Sequence, residues 1–208
     1  YIIKHVGHQK AVAPQNDYYI LLLALALEKS KPAYGEFKLQ SVEWNMYQHR
    51  QLQSLNSGVI DVMWTMTTEE REEKAQPVRI PLAKGLIGFR VLMVRNDDQG
   101  KFKILQQVKK LKALQGHDWP DTDILRHNGF SVETTTLYKS MFKMLRDGYV
   151  DYVPRSVLEG FAEAALYKDL NVSVEKTFLL QYPAAIYFFV SKNNRSLATR
   201  LKIGLNKA

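Results

Sequence analysis

The sequence predicts an α/β chain folded as two similar lobes, each a mixed, mainly parallel sheet flanked by helices. Three observations carry that expectation. Short apolar runs alternate with helical stretches along most of the chain, the order that builds parallel sheets. The pattern Leu55-x-x-Gly58-x-Ile60-Asp61-x-Met63 returns 90 residues later as Leu145-x-x-Gly148-x-Val150-Asp151-x-Val153. Each copy reads as a helix end, a glycine stop and a short strand with one aspartate. The 208 residues, 46% of them hydrophobic, suffice for one large domain or two small lobes with real cores.

Residues 1–6 (YIIKHV) are rich in β-formers and stop at Gly7, so they read as a strand, followed by a polar loop holding Pro14. Asn16 or Asp17 can cap a helix beginning near Tyr18, because a short polar side chain satisfies free backbone donors there. Its apolar run, residues 18–27 (YYILLLALAL), falls far short of the roughly 18 residues that a membrane span needs. Glu28, Lys29 and Lys31 follow it in place of a small-residue cleavage site, so it reads as a buried helix. Alternation over residues 37–42 predicts a second strand, residues 48–55 a helix stopped by Gly58, and residues 59–63 a short apolar strand. Residues 67–74 (TTEEREEK) open like a helix, with Thr67 or Thr68 as cap and glutamates favouring the positive N-terminus. Residues 89–94 (FRVLMV) read as a fully buried strand.

The pattern then restarts. A basic amphipathic helix is predicted over residues 104–114, a Gly-His-Asp-Trp-Pro loop at 116–120, a helix over 121–127 and a strand at 130–133. Apolar residues at 137, 141, 144 and 145 have helical spacing, and Gly148 stops that helix. A strand at 149–153 and a helix at 156–167 follow. Strands at 178–180 and 185–190 flank Tyr182-Pro183, and a helix near 197–204 closes the chain.

Composition narrows the function. Lys and Arg number 29 against 21 Asp and Glu, a net charge of +8, but the charge is dispersed. The densest basic run, residues 101–112, reads as a solvated helix face, and neither zinc-finger spacing nor an aromatic RNA-binding signature accompanies it. Nucleic acid is therefore not an expected partner. The lack of cysteine excludes disulfides, thiolate metal sites and cysteine nucleophiles. His5, His8, His49, His117 and His127 lack a carboxylate at ligand spacing, so no metal and no other cofactor is expected. His117-Asp118 has no nucleophile signature beside it, and neither a Gly-x-Ser-x-Gly elbow nor a phosphate-cradling glycine loop occurs. A binding protein is expected, not an enzyme.

Residues 55–63 (LNSGVIDVM), 67–71 (TTEER) and 182–192 (YPAAIYFFVSK) resemble the type 2 periplasmic solute-binding proteins, especially the amino-acid-binding branch. Lys84-Gly85-Leu86, Trp119-Pro120-Asp121-Thr122 and Asp151-Tyr152-Val153-Pro154-Arg155 are similar to a bacterial group of transporter substrate-binding domains within that family. The resemblance covers most of the chain. It implies a first lobe of residues 1–90 plus 186–208 and a second of 91–185, joined by hinge strands near 89–94 and 185–190. It also implies a monomeric periplasmic (extracytoplasmic) protein that closes on a small polar or anionic solute, amino-acid-like or carboxylate. The closed form would be read by an ABC-type membrane transporter. The alternative is a ligand-sensing domain of a membrane receptor, of histidine kinase or diguanylate cyclase type. A third reading, the effector domain of a transcription regulator, requires an adjoining helix-turn-helix. The family's C-terminal helical region runs on past a point like Ala208, which implies a chain trimmed from a longer protein.

In amino-acid binders of this family the arginine of a Thr-x-x-Arg turn grips the ligand carboxylate, and Thr68-Glu69-Glu70-Arg71 places Arg71 there. A guanidinium offers two parallel donors to the two carboxylate oxygens. The plain alternative is a surface ion pair of Arg71 with Glu69, Glu70 or Glu72. Trp64 and Thr65 follow the strand at 59–63, at the edge where ligands of open α/β sheets sit. Tyr18 and Tyr19 begin the first helix near that edge by topology, with core packing as their alternative. In the second lobe, the loop at 116–122 leads into a helix N-terminus suited to an anion, with Trp119 as a wall and Asp121 and Thr122 binding or capping. Amino-acid binders hold the ligand's ammonium with an aspartate where this chain has Ser156, beside Arg155, and Met66 falls where a loop hydroxyl is usual. The expected ligand is therefore an anion held by Arg71 and Arg155. Arg155 alternatively pairs with Glu159 one helical turn on.

Overall fold

The structure, a computed structural model, describes residues 1–7, 16–42 and 47–208. The expected loop with His8 and Pro14 lies outside the described residues. In chain order the elements are β1 (Ile2–Val6), α1 (Asn16–Tyr34), β2 (Lys38–Val42), α2 (Gln48–Asn56), β3 (Val62–Met66), α3 (Glu69–Lys74), β4 (Gln76–Val78) and β5 (Phe89–Arg95). They continue with α4 (Leu105–Val108), β6 (Lys112–Gly116), α5 (Pro120–His127), β7 (Ser131–Thr135), α6 (Tyr138–Arg146), β8 (Val153–Ser156), α7 (Gly160–Leu166), β9 (Val172–Gln181), β10 (Ile186–Val190) and α8 (Arg195–Lys207). No helix among the described residues is long and apolar enough to cross a membrane.

The chain divides into two compact units, Tyr1–Lys84 with Ala185–Ala208, and Gly85–Ala184. The boundary expected at 90/91 falls inside β5. That strand lies wholly in the second unit because both its neighbours, β8 and β9, are there.

The first unit is built on one five-stranded sheet in the order β2-β1-β3-β10-β4. β1 runs parallel to β2 and β3, while β10 runs antiparallel to β3 and β4. The carboxyl ends of β1 and β3 therefore share one edge, and α1 and α3 follow them in the chain. α1 was expected to be buried, but only the stripe Tyr19, Leu23, Ala26, Leu27 and Ser30 is; Tyr18, Leu21 and Leu25 stay 51%, 69% and 40% exposed. Among the described residues, α8 is the helix that packs closely on it. Arg200 of α8 donates Nε to Ser30 Oγ at 3.1 Å and Nη2 to the Gly35 carbonyl at 2.8 Å. The two helices touch backbone to backbone at Gly204, where a Cβ would stand 1.8 Å from the Ala26 carbonyl oxygen.

In the second unit β5 lies between β8 and β9, antiparallel to both, and β6 pairs in parallel with β7. Ala113 of β6 also bridges in parallel to Tyr152. Alternate residues of β5 enter two cores. Val91 and Met93 meet Leu114, Met141 and Phe142, while Leu92 and Val94 meet Phe102, Leu125 and Tyr152. Covering on both faces explains why the strand's sequence is continuously apolar. The amphipathic helix expected over 104–114 is overturned: α4 is one short turn, and Lys112–Gly116 is a strand. Ala113 and Leu114 are both fully buried, so this interior strand shows no alternation to distinguish it from a helix. β9 is also far longer than the expected 178–180, because it follows β5 across a register shift between Val91 and Met93.

The repeated pattern is one structural device used twice. Leu55 and Leu145 are buried, and Gly58 and Gly148 end their helices with φ of 73° and 78°, a left-handed conformation that favours glycine. Each aspartate then brackets one strand of its unit, Asp61 β1 and Asp151 β6. The Asp61 backbone N–H donates to the Lys4 carbonyl at 2.8 Å while its Oδ2 accepts from the Lys4 N–H at 2.7 Å. Asp151 makes the same two bonds to Lys112, also at 2.8 and 2.7 Å.

Candidate functional site

At the carboxyl edge of the first sheet, side chains of β3 point alternately to its two faces and carry two separate constellations. On one face Thr65, 2% exposed, donates Oγ to Gln48 Oε1 at 3.0 Å and accepts from Arg71 Nη1. Arg71 Nη1 also donates to the Met66 carbonyl at 3.0 Å. The Arg71 guanidinium is thus buried, 6% exposed, and aimed by its own unit. Thr68 caps α3 by accepting the Arg71 N–H at 3.2 Å, which settles the choice between Thr67 and Thr68. On the surface of α3, Glu70 pairs with Lys74, and Glu72 with Arg79.

On the other face Trp64 donates Nε1 to Asn16 Oδ1 at 3.0 Å, and its ring stacks on Tyr19 with centroids 5.9 Å apart. Tyr19 is buried, whereas Tyr18 is half exposed, edge-on to Tyr19 and anchored by its hydroxyl to the Leu82 carbonyl at 2.6 Å. Asn16 lies in α1 and binds Trp64. The structure therefore joins Arg71 to Thr65 and Trp64 to Tyr19, as two groups and not one.

In the second unit the residues converge on a buried ion cluster. Arg155, 4% exposed, is gripped by both oxygens of Glu163, with Nε to Oε2 and Nη2 to Oε1 each at 2.7 Å. Its Nη2 also lies 3.0 Å from Glu159 Oε2. Its guanidinium carbon stands 4.8 Å from the Trp119 ring centroid and 5.6 Å from that of Tyr138. Arg90 pairs with Asp121 at 2.7 Å and reaches Glu159 at 4.0 Å, lying 5.5 Å from the Tyr182 ring. Tyr138 donates its hydroxyl to Glu163, and Tyr182 donates to Asp121. Burial pushes both phenols above their ordinary range. Burial also opposes the charge on Arg155, but Glu159 and Glu163 outweigh it and hold the guanidinium protonated. Burial raises the Glu159 carboxyl against the pull of Arg155, with Glu163 adding to the rise.

This arrangement corrects the picture of Arg155 as an open anion receiver, because two glutamates already occupy its donors. The Glu159 contact foreseen in the sequence is present, but it comes from a strand to a loop and not along one helix. The anion reading of α5 changes likewise. Trp119 stands at its N-cap, Pro120 follows, no side chain caps it, and the first turn already holds the Asp121 carboxylate. Thr122, 1% exposed, donates to the Gly116 carbonyl at 2.8 Å. Trp119 lies flat enough on Gly116 that a Cβ there would meet its ring at 2.5 Å.

Sequence reasoning missed Arg90, Glu163, Gln115, Tyr138, Tyr182, Gln48 and Asn16. Two left a signal. Arg90 interrupts an apolar strand and Glu163 an apolar helix, and charges in such places are almost never buried without a partner.

No protein-family model matches the chain, and no curated protein matches it. Solved structures do. A histidine kinase sensor domain with similarity to periplasmic binding proteins is 15% identical, covering 99% of this chain and 88% of its own, with a TM-score of 0.74. The Salmonella typhimurium periplasmic binding protein described for high arginine specificity is 14% identical over 99% of this chain and 91% of its own, TM-score 0.69. An ancestral arginine-binding protein bound to arginine is 18% identical over 99% and 90%, TM-score 0.68. The fold is thus that of the periplasmic binding proteins: mixed α/β, its sheets flanked by helices.

Proposed function

We propose that this chain is an extracytoplasmic solute-binding protein that takes up a small polar solute carrying a carboxylate, delivers it to an ABC-type transporter, and catalyses nothing. One observation carries the reading: the buried Arg71 guanidinium, held by Thr65 and the Met66 carbonyl at the carboxyl edge of a parallel sheet. Ligands of open α/β sheets bind outside that edge, and a guanidinium already oriented loses little freedom in gripping a carboxylate. The fold and the amino-acid-binding neighbours support the same reading. Hinge closure on the solute, its monomeric state and its extracytoplasmic location belong to the proposal and rest on the resemblance.

The test is a thermal-shift screen of the proteinogenic amino acids, dicarboxylates and inorganic anions. A ligand at a hundred times its Kd stabilises a protein by about 2.7 kcal/mol, a readily measured shift. Arg71→Ala should abolish the shift produced by any carboxylate ligand. A silent panel brings down the solute-binding reading, and a hit equally strong in Arg71→Ala removes Arg71 from it.

A second reading, the ligand-sensing domain of a membrane receptor, is favoured by the likeness to a histidine kinase sensor domain. The full-length gene product decides between the two, since only the receptor continues into a membrane span and a signalling domain.

A further inference from the structure

The densest basic run of the sequence, residues 101–112, is not the helix face it was expected to be, and neither the solute-binding reading nor the ion cluster uses it. From Gln99 to His117 the chain carries five lysines and no carboxylate. The run is fixed from inside. Phe102 and Val108 are buried, 2% and 0% exposed, in the core that holds Leu92, Leu125 and Tyr152. With those two as anchors, the turn between them leaves its other apolar residues outward: Ile104 is 53% exposed and Leu105 43%. An exposed aliphatic residue standing alone needs no explanation, whereas an adjacent pair pinned among lysines is a feature of the surface.

The lysines are also uncommitted. Two carboxylates beside the run are taken: Asp98 pairs with Lys101 and Arg95, and Asp151 accepts the Lys112 backbone N–H and lies 3.7 Å from Arg95. Among the described residues, the side chains of Lys103, Lys109, Lys110 and Lys112 form no ion pair, and Lys109 rests over the Phe130 ring, 5.5 Å from its centroid. Topology gathers these groups at one end of the second unit. Lys112 opens β6, and the Ser131 N–H at the start of β7 donates to the Lys109 carbonyl at 3.0 Å. Tyr149, 68% exposed, comes two residues before the Asp151 that brackets Lys112. Trp119 and Asp121 lie beyond Gly116, at the other end of β6, so this surface stays clear of the ion cluster.

We infer that this end of the second unit docks on an anionic lipid bilayer, its lysine ammonium groups on the headgroup phosphates and Ile104 and Leu105 dipping among the upper acyl methylenes. Charge complementarity argues for that occupant. A lysine is a flexible point charge that reaches a phosphate while its stem lies along apolar surface. A pinned aliphatic pair beside such charges matches the boundary of headgroups and acyl chains, whereas the phosphates of a nucleic acid are bound by charge and polar donors alone. The inference stands apart from the solute-binding reading, and neither needs the other.

The test is flotation of the whole chain with vesicles of pure phosphatidylcholine and with vesicles containing phosphatidylglycerol, at low and high salt, with a random-sequence DNA duplex as the rival polyanion. The chain should float with the anionic vesicles, less so as salt rises, and stay down with the neutral ones. Lys103→Glu combined with Lys110→Glu should weaken partitioning by about fivefold or more per position. Ile104→Ser combined with Leu105→Ser leaves the charge unchanged and should weaken it by about tenfold. Lys192→Glu combined with Lys202→Glu makes the same change in net charge on the first unit and should leave partitioning within about twofold. All six positions are exposed, so the variants should keep the native melting midpoint. Absence of partitioning to anionic vesicles overturns the inference. Equal weakening by the two lysine reversals does so too, since it would mean a diffuse attraction of a chain with net charge +8. Unchanged partitioning of the Ile104→Ser, Leu105→Ser variant overturns the bilayer as occupant, and a tighter hold on the duplex than on anionic vesicles would assign the surface to nucleic acid instead.

Discussion

Replacing Glu163 with alanine removes the anchor of the second unit's ion cluster, and its cost can be worked from the contacts. The carboxylate is wholly buried and accepts from Arg155 Nε and Nη2, each at 2.7 Å, and from the Tyr138 hydroxyl. Breaking a buried pair by removing one partner costs about 3–5 kcal/mol. Here Glu159 remains 3.0 Å from the guanidinium, which argues for the lower end, about 3 kcal/mol. The Tyr138 hydroxyl left without its acceptor adds about 1 kcal/mol. In a chain of 208 residues each kcal/mol moves the midpoint by about 2–4 °C, so thermal unfolding followed by circular dichroism should shift down by about 10 °C. Arg155→Ala should cost far less in the Glu163→Ala background than in the native chain, since the two groups act as one. A loss below about 1 kcal/mol, the range of exposed pairs, together with additive effects would show that the pair is bathed in water and would refute the buried-cluster account.

Two further outcomes follow from packing and backbone. Alanine at Gly204 gains about 1 kcal/mol of helix propensity, but its Cβ would stand 1.8 Å from the Ala26 carbonyl oxygen. Overpacking of about 1–3 kcal/mol wins, so urea unfolding should show a less stable protein; a more stable one would mean that α1 and α8 lie farther apart. Asp61→Ala and Asp151→Ala each break a charged bond to a strand N–H, at 2.7 Å in both. Each should lose about 1–2 kcal/mol in the same assay, with Asp151 nearer the lower value because it is the more exposed. A cost at one and none at the other would refute their equivalence.

The sequence made much of the fold legible because its punctuation is strong. Gly58 and Gly148 each stop a helix at the place the repeat suggested, since only glycine takes that φ without strain. Thr68 and Arg71 likewise sit in a local cap that four residues suffice to specify. What stayed hidden is non-local. Arg155 and Glu163 are eight positions apart on a strand and a helix, a separation for which no pairing rule exists, so Arg155 read as available to an anion. Arg90 and Asp121 come together from β5 and α5 only when the unit is folded. Residues 104–114 misled for another reason: a strand buried on both faces has the same apolar density as a helix, and only its neighbours decide.

The position of β10 has a consequence for how the chain is made. This strand comes near the end of the sequence, yet it lies between β3 and β4 in the first sheet. Until it has left the ribosome, one flank of β3 has no strand to pair with, and Met63 and Phe189 cannot meet in the core they share. The second unit, by contrast, is an uninterrupted stretch that is fully synthesised before β10 exists. The unit translated earlier of the two is therefore completed later than the second, and for that interval it exposes an open strand edge of the kind that invites misassembly.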